Sequence, residues 1–384
     1  METLQPTLKR GRDVWDRINM PEMEFHRRVE NIRKEMKKER FDCLLLYGKG
    51  ANEYGNPCYI SNFAIKMPRG ALAAIPLKGD ISLIVDGFSR DQPAVRSVTW
   101  IDNIRSCRDV AQECLDLLKE QRLIPSTLGF AGLKELMPYP QFQSIIKALG
   151  QCKIVDAQPM INKMRMAKSF REQDQIRRSS RVIQRAYDRV CSSPLSEMNE
   201  RVLEATLDYM ARMEGAEDIR ILVARPIESG WTMRPAENRG ISEGENIITY
   251  VAVAFERYWS EAIRTFAAGP SHFKENTSED AAALYEKILR MIEPGVAVTQ
   301  VYNEALAEMQ KSPMEHLPQY GLGQGIGLSP RELPRLTPHS LDHFTENMSF
   351  TLRLALKDKK SGSLMTGETI LLSEGHRECL TRQT

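Results

Sequence analysis

The feature that most constrains this chain is a change of hydrophobic patterning near residue 165. Upstream of it, short apolar runs ending in Gly or Asp, "FDCLLLYGKG" and "GDISLIVDGF", read as buried strands. Between them "MEFHRRVENIRKEMKKERF" and "DVAQECLDLLKEQRL" have helical spacing, so an α/β unit is expected over about residues 20 to 155. Downstream, in "MRMAKSFREQDQIRRSSRVIQRAYDRVC", Val182, Ile183, Ala186, Tyr187 and Val190 share one helical face opposite a charged one. That stretch predicts a connecting helix that opens a second domain. "SEMNERVLEATLDYMARMEG" and "SEDAAALYEKILRMIEPG" predict two more amphipathic helices, the second with Ser278 as N-cap and Pro294-Gly295 as its stop. The runs "IRILVA", "NIITYVAVAF", "MSFTLRLAL" and "ETILLS" read as strands. Strands and helices segregated in this way predict an α+β domain, giving domains over 1–160 and 161–384.

Composition narrows the functional class. The 384 residues, 42% hydrophobic and 27% charged, exclude a disordered or fibrous chain. With 53 basic and 51 acidic residues the net charge is +2, so neither nucleic acid nor anionic lipid is expected as a partner. The seven cysteines are scattered with no C-x-x-C pair, as in a reduced, cytoplasmic protein. "METLQPTLKRGRDVWDRINM" has no signal-peptide core, and no run reaches the ~18 apolar residues of a membrane span. The basic runs "MKKER" and "KDKK" read as solvated surface, and Cys58 is the one thiol worth checking as a nucleophile. "GLGQGIG" is not a dinucleotide loop, because neither a following helix nor an acid ~20 residues on accompanies it.

Four ordered stretches carry a specific signal: "MRMAKSFREQDQIR", "ISEGENIITYVAVAFERYWSEAIRTF", "GLGQGIGLSPRELP" and "ETILLSEGHRECLT". Together they resemble the landmarks of the creatinase/aminopeptidase P/methionine aminopeptidase superfamily. The resemblance implies a pita-bread C-terminal domain preceded by a smaller α/β creatinase-type N-terminal domain. It also implies a homodimer.

In that family's metallopeptidases two metal ions sit on two aspartates, a histidine and two glutamates. The matching positions here are Tyr250, Glu261, Gln324, Arg353 and Gly367, with Glu368 beside the last. Only Glu261 among the five is acidic, and a guanidinium has no lone pair to donate, so no metal or other cofactor is expected. Creatinase itself works without metal through a histidine, but Met233 occupies that position. Two further histidine positions of the peptidases become Tyr320 and Arg331, while Glu332 and Pro334 are kept. No histidine falls on a matched position, which leaves His316 or His339 to reach the site from a loop.

Two readings follow. In the first, Glu261 and Glu332 are a base and acid pair, with Tyr250 or Tyr320 as proton donor. The chain is then a metal-independent hydrolase or lyase acting on a C–N bond of a small anionic substrate. Arg353 or Arg331 would hold the anion, with Gln324, Arg234, Met233 and Trp231 lining the site. In the second, an internal Glu261–Arg353 pair replaces the cation. Tyr250, Met233 and Trp231 then plug the pit, and the chain is an inactive relative binding a metabolite, peptide or protein.

Overall fold

The computed structural model describes residues 15–50, 53–65, 69–123, 125–226, 230–269, 275–358 and 362–382. The first fourteen residues, which bear on the signal-peptide reading, lie outside them, as do His272 and the last two residues of "KDKK". Two compact units divide at 165/166. The first is a six-stranded sheet of β1 (Cys43–Lys49), β2 (Gly70–Pro76), β3 (Ser82–Asp86), β4 (Asn103–Cys107), β5 (Thr127–Ala131) and β6 (Lys153–Asp156), in the order β4-β3-β2-β1-β5-β6. β1 runs parallel to β5 and antiparallel to β2. Leu44, Leu45, Leu46, Ala73 and Leu83 are fully buried, which is why these strands read as continuous apolar runs. Cys58 is buried in a short helix, Gly55–Ser61. The helix Gln158–Met166 is tied back to this unit by Gln158 and Arg165, both bonded to Asn56.

The second unit is a nine-stranded sheet. Its strands are β7 (Asp218–Ala224), β8 (Asn246–Phe255), β9 (Tyr258–Ala267), β10 (Glu315–His316), β11 (Gly323–Gly325), β12 (Glu332–Arg335), β13 (Met348–Asp358), β14 (Gly362–Ser373) and β15 (His376–Cys379). The path is β12-β11-β13-β14-β9-β8-β7, with β10 on β13 and β15 on β14. The connecting helix spans Phe170–Cys191 and starts with a capping box: Ser169 Oγ accepts from the Glu172 N–H and Glu172 returns the bond to the Ser169 N–H. Its five predicted face residues are all buried, packed against Val251, Val253 and Ala262 of β8 and β9. The helix read as starting after Ser278 begins at Glu275, three residues earlier, so Ser278 is not its N-cap.

The helices Glu275–Arg290 and Val298–Lys311 bury their apolar faces against Leu352, Leu354, Leu356, Ile370 and Leu372. Strand alternation therefore commits these even-numbered positions of β13 and β14 to a helix-covered face and turns Arg353 and Gly367, with Tyr250, Glu261 and Ile263 of β8 and β9, to the other. The parity is set at the β8–β9 turn, where Glu256 and Arg257 both have positive φ (44° and 73°), as a two-residue primed turn requires. Buried Arg257 donates to Glu217 and Glu256, fixing that turn without glycine.

The glycine-rich stretch forms β11 and needs its glycines for contact. Gly323 has φ +139°, and a Cβ there would lie 1.8 Å from Thr351 O. Gly325 would meet Leu333 O at 2.1 Å. Gly323→Ala is therefore expected to cost on the order of 3 kcal/mol in urea denaturation. Gly375→Ala, also at positive φ but with open space around its Cβ, should cost only about 1 kcal/mol, so equal losses would refute the contact argument.

Candidate functional site

Four strands place one residue each in a row across the uncovered face: Tyr250 opposite Ile263, Ile263 opposite Gly367, and Gly367 opposite Arg353. Glu261 lies two residues from Ile263 on the same side, and its backbone is held by Thr369, whose hydroxyl accepts from the Glu261 N–H and donates to its carbonyl, both at 2.8 Å. The Glu261 carboxylate is 2% exposed. Its Oε1 accepts from Arg353 Nε at 2.9 Å and from Nη2 at 2.5 Å, and its Oε2 accepts from the Tyr250 hydroxyl at 2.9 Å. Burial, then the neighbouring Glu261 charge, raises the Tyr250 hydroxyl far above the tyrosine range, so it stays a protonated donor. Burial alone would lower the Arg353 pKa, but Glu261 outweighs it and holds the guanidinium charged.

The pit thus contains a closed triad. Arg353 is not an open fork for a ligand carboxylate, since two of its nitrogens are spent on Glu261; Nη1 has no partner among the described residues. Gly367 carries the same logic: a Cβ there would meet Arg353 Cγ and Ile263 Cδ1 at 3.2 Å, so these side chains fill the space an acid would use. Glu368 faces the helix side, bonded to Arg264 and Thr381. Gln324 faces Thr351 and donates to Pro330 O at 2.9 Å. Among the described residues, no group of three or more His, Cys, Asp or Glu side chains is arranged to hold a metal ion. A guanidinium, a phenol and a neutral amide beside one carboxylate do not fit a dinuclear metal centre.

Other candidates lie elsewhere. Glu332 accepts from Lys168 Nζ at 3.0 Å and from the Ser329 N–H at 3.1 Å, in an ion pair whose side chains are 1% and 5% exposed. It is a structural acceptor under the glycine stretch; Lys168, 164 residues away in sequence, gave no signal of this. Arg331 is exposed on the loop before β12 and does not line the pit. His316 sits on β10 opposite Leu356, on the helix-covered face, and His339 is exposed on a loop, so neither enters the pit.

Trp231 and Tyr320 do meet. Their rings stack at 4.4 Å and 9°, and the Tyr320 hydroxyl accepts from the Trp231 N–H while donating to its carbonyl. With Met233 and Tyr250 they join Ile263, Leu317 and Met365 in an apolar cluster over the pit. Arg234 lies beyond that stack and binds Glu200 through Nη1 and Nη2. Glu200, fully buried, also accepts from Arg225 and from the Glu237 N–H. Arg225 bridges on to Glu245, which also takes Arg239. A cavity of about 510 Å³ opens beside this network. Its importance was not legible in the sequence, because Arg225 and Arg234 stand 25 and 34 residues from the acid that organises them.

Comparison with known proteins bears on both units. Residues 174–374 match the model of metallopeptidase family M24, and residues 28–167 match the creatinase/prolidase N-terminal domain. The Xaa-Pro dipeptidase of Pyrococcus horikoshii is 21% identical over 254 residues, spanning 65% of this chain and 72% of that protein. The crystal structure of the prolidase from Pyrococcus horikoshii OT3 superposes with a TM-score of 0.75 at 20% identity, covering 93% of this chain and 98% of that one. The X-Pro aminopeptidase of Thermotoga maritima gives 0.77 at 20% identity with the same coverages. The likeness carries the expected architecture, a creatinase-type domain followed by a pita-bread domain.

Proposed function

Since the chain belongs to metallopeptidase family M24, we propose that it is a member that works without a metal centre and uses its fold to bind rather than to hydrolyse. One observation carries this reading: the Arg353 guanidinium occupies the Glu261 carboxylate, whose other oxygen is taken by Tyr250. Both oxygens of this carboxylate are already engaged by internal donors, so taking a proton from a substrate would mean breaking those bonds. Glu332, the other acid of the hydrolytic reading, is neutralised by Lys168. The Trp231–Tyr320 stack and Met233 add an apolar cover to the same face. No helix among the described residues is long and apolar enough to cross a membrane.

The test is direct. Purified protein with manganese, cobalt or zinc is expected to show no thermal stabilisation over protein with EDTA, and no cleavage of Xaa-Pro dipeptides. A metal held at ~100 times its Kd would contribute about 2.7 kcal/mol, so an EDTA-reversible rise in Tm, or metal-dependent turnover, would overturn the reading.

A further inference from the structure

We infer that the cavity beside the Trp231–Tyr320 stack is a binding site for a small di- or tricarboxylate. Its wall is formed by three guanidiniums, Arg225, Arg234 and Arg239, with Gln319 and the two aromatic rings. The carboxylates that pair with these arginines, Glu200, Glu245 and the exposed Glu237, are not among the residues that line the cavity, whose described wall presents the guanidiniums. Glu200 and Glu245 orient the forks; Arg225, 9% exposed, is spent on them and on the Gly240 carbonyl, while Arg234 and Arg239 keep exposed edges. Arg239 is 58% exposed with one 3.4 Å bond, and Arg234 is 27% exposed. Planar guanidiniums match carboxylates edge to edge, and several of them around one space of about 510 Å³ suit a ligand with more than one carboxylate.

In the pit, Arg353 is locked to Glu261, and Arg220 on the same face stacks over the Trp259 ring. The inference rests on the metal-free reading only in placing ligand capture outside the pit. Anion binding at this cavity also reassigns the sequence-based anion site from Arg353 and Arg331 to Arg225, Arg234 and Arg239.

Calorimetric titration of the full chain at low ionic strength with citrate, succinate and inorganic phosphate tests it. Citrate or succinate is expected to bind, with affinity falling as salt rises. Arg239→Ala should weaken binding about tenfold and Arg239→Glu should abolish it, because each removes a charge-assisted bond. Arg239 carries little structural load, so unchanged Tm in the unliganded variants shows that folding is intact. Arg331→Ala, on another surface, should leave binding as it was. Absence of carboxylate binding at millimolar concentration overturns the inference, as does binding that survives Arg239→Glu or that phosphate matches without dependence on Arg239. A parallel manganese titration separates the two claims: metal binding with Arg239-dependent citrate binding sinks only the metal-free reading, and the reverse pattern sinks only this one.

Discussion

Glu261→Ala is expected to destabilise the protein by about 3–5 kcal/mol at pH 7. The substitution leaves the Arg353 guanidinium, whose side chain is 16% exposed, without its counter-charge, and takes the acceptor from the Tyr250 hydroxyl. An unpaired buried cation costs more than the pair it came from contributes. The double variant Glu261→Leu with Arg353→Met, which removes both charges and keeps apolar volume, should therefore be more stable than Glu261→Ala alone. Urea denaturation of the wild type, both single variants and the double gives the coupling. If Glu261→Ala costs under about 1 kcal/mol, or the double variant is no better than the single, the pit is not held together by this pair.

The second large effect is expected at Glu200. Glu200→Gln should cost about 3–5 kcal/mol, because one fully buried carboxylate accepts from Arg225, from Arg234 and from the Glu237 N–H at the start of the helix Glu200–Met213. Burial pushes its pKa up, but the bonds from Arg234, the Glu237 N–H and Arg225 outweigh burial and bring it to about 2 from 4.5. A folded-state pKa below the unfolded one means the unfolded chain takes up the proton first. The stabilisation is therefore complete above pH 4.5 and is lost as pH falls towards 2. Wild-type and Glu200→Gln stabilities should differ by a constant amount from neutral pH down to about 4.5 and converge below it. A gap that persists unchanged to pH 2 would show that shape, not charge, is what Glu200 supplies. Because this network anchors the segment carrying Trp231 and Arg239, the variant should also weaken any ligand held in the adjacent cavity.

The architecture was legible because it rests on short-range periodicity. Val182, Ile183, Ala186, Tyr187 and Val190 declare a helix face whatever they pack against, and each is buried as that face requires. The residues Tyr250, Glu261, Arg353 and Trp231 were singled out by the motifs that carry the family resemblance. What they do was not legible. Whether Arg353 offers its fork to a ligand or spends it on Glu261 depends on a register spanning β9, β14 and β13, with 92 residues between the partners. The Lys168–Glu332 pair was illegible for the same reason, its cation lying 164 residues from the acid. Arg331 was misplaced because a loop residue next to a strand carries no parity signal. Ser278 failed as an N-cap because the helix runs on upstream of it.

The crowding around Gly367 constrains which substitutions the pit can accept. A glutamate introduced there meets Arg353 and Ile263 before it can reach the pit, and an acid introduced at 353 faces Glu261 with no cation between them. Each single step towards a carboxylate-rich pit is thus uphill while the other position stands, and only a concerted exchange relieves both. The two positions are therefore coupled across the strand pair: the side chain that one can accept depends on what stands at the other.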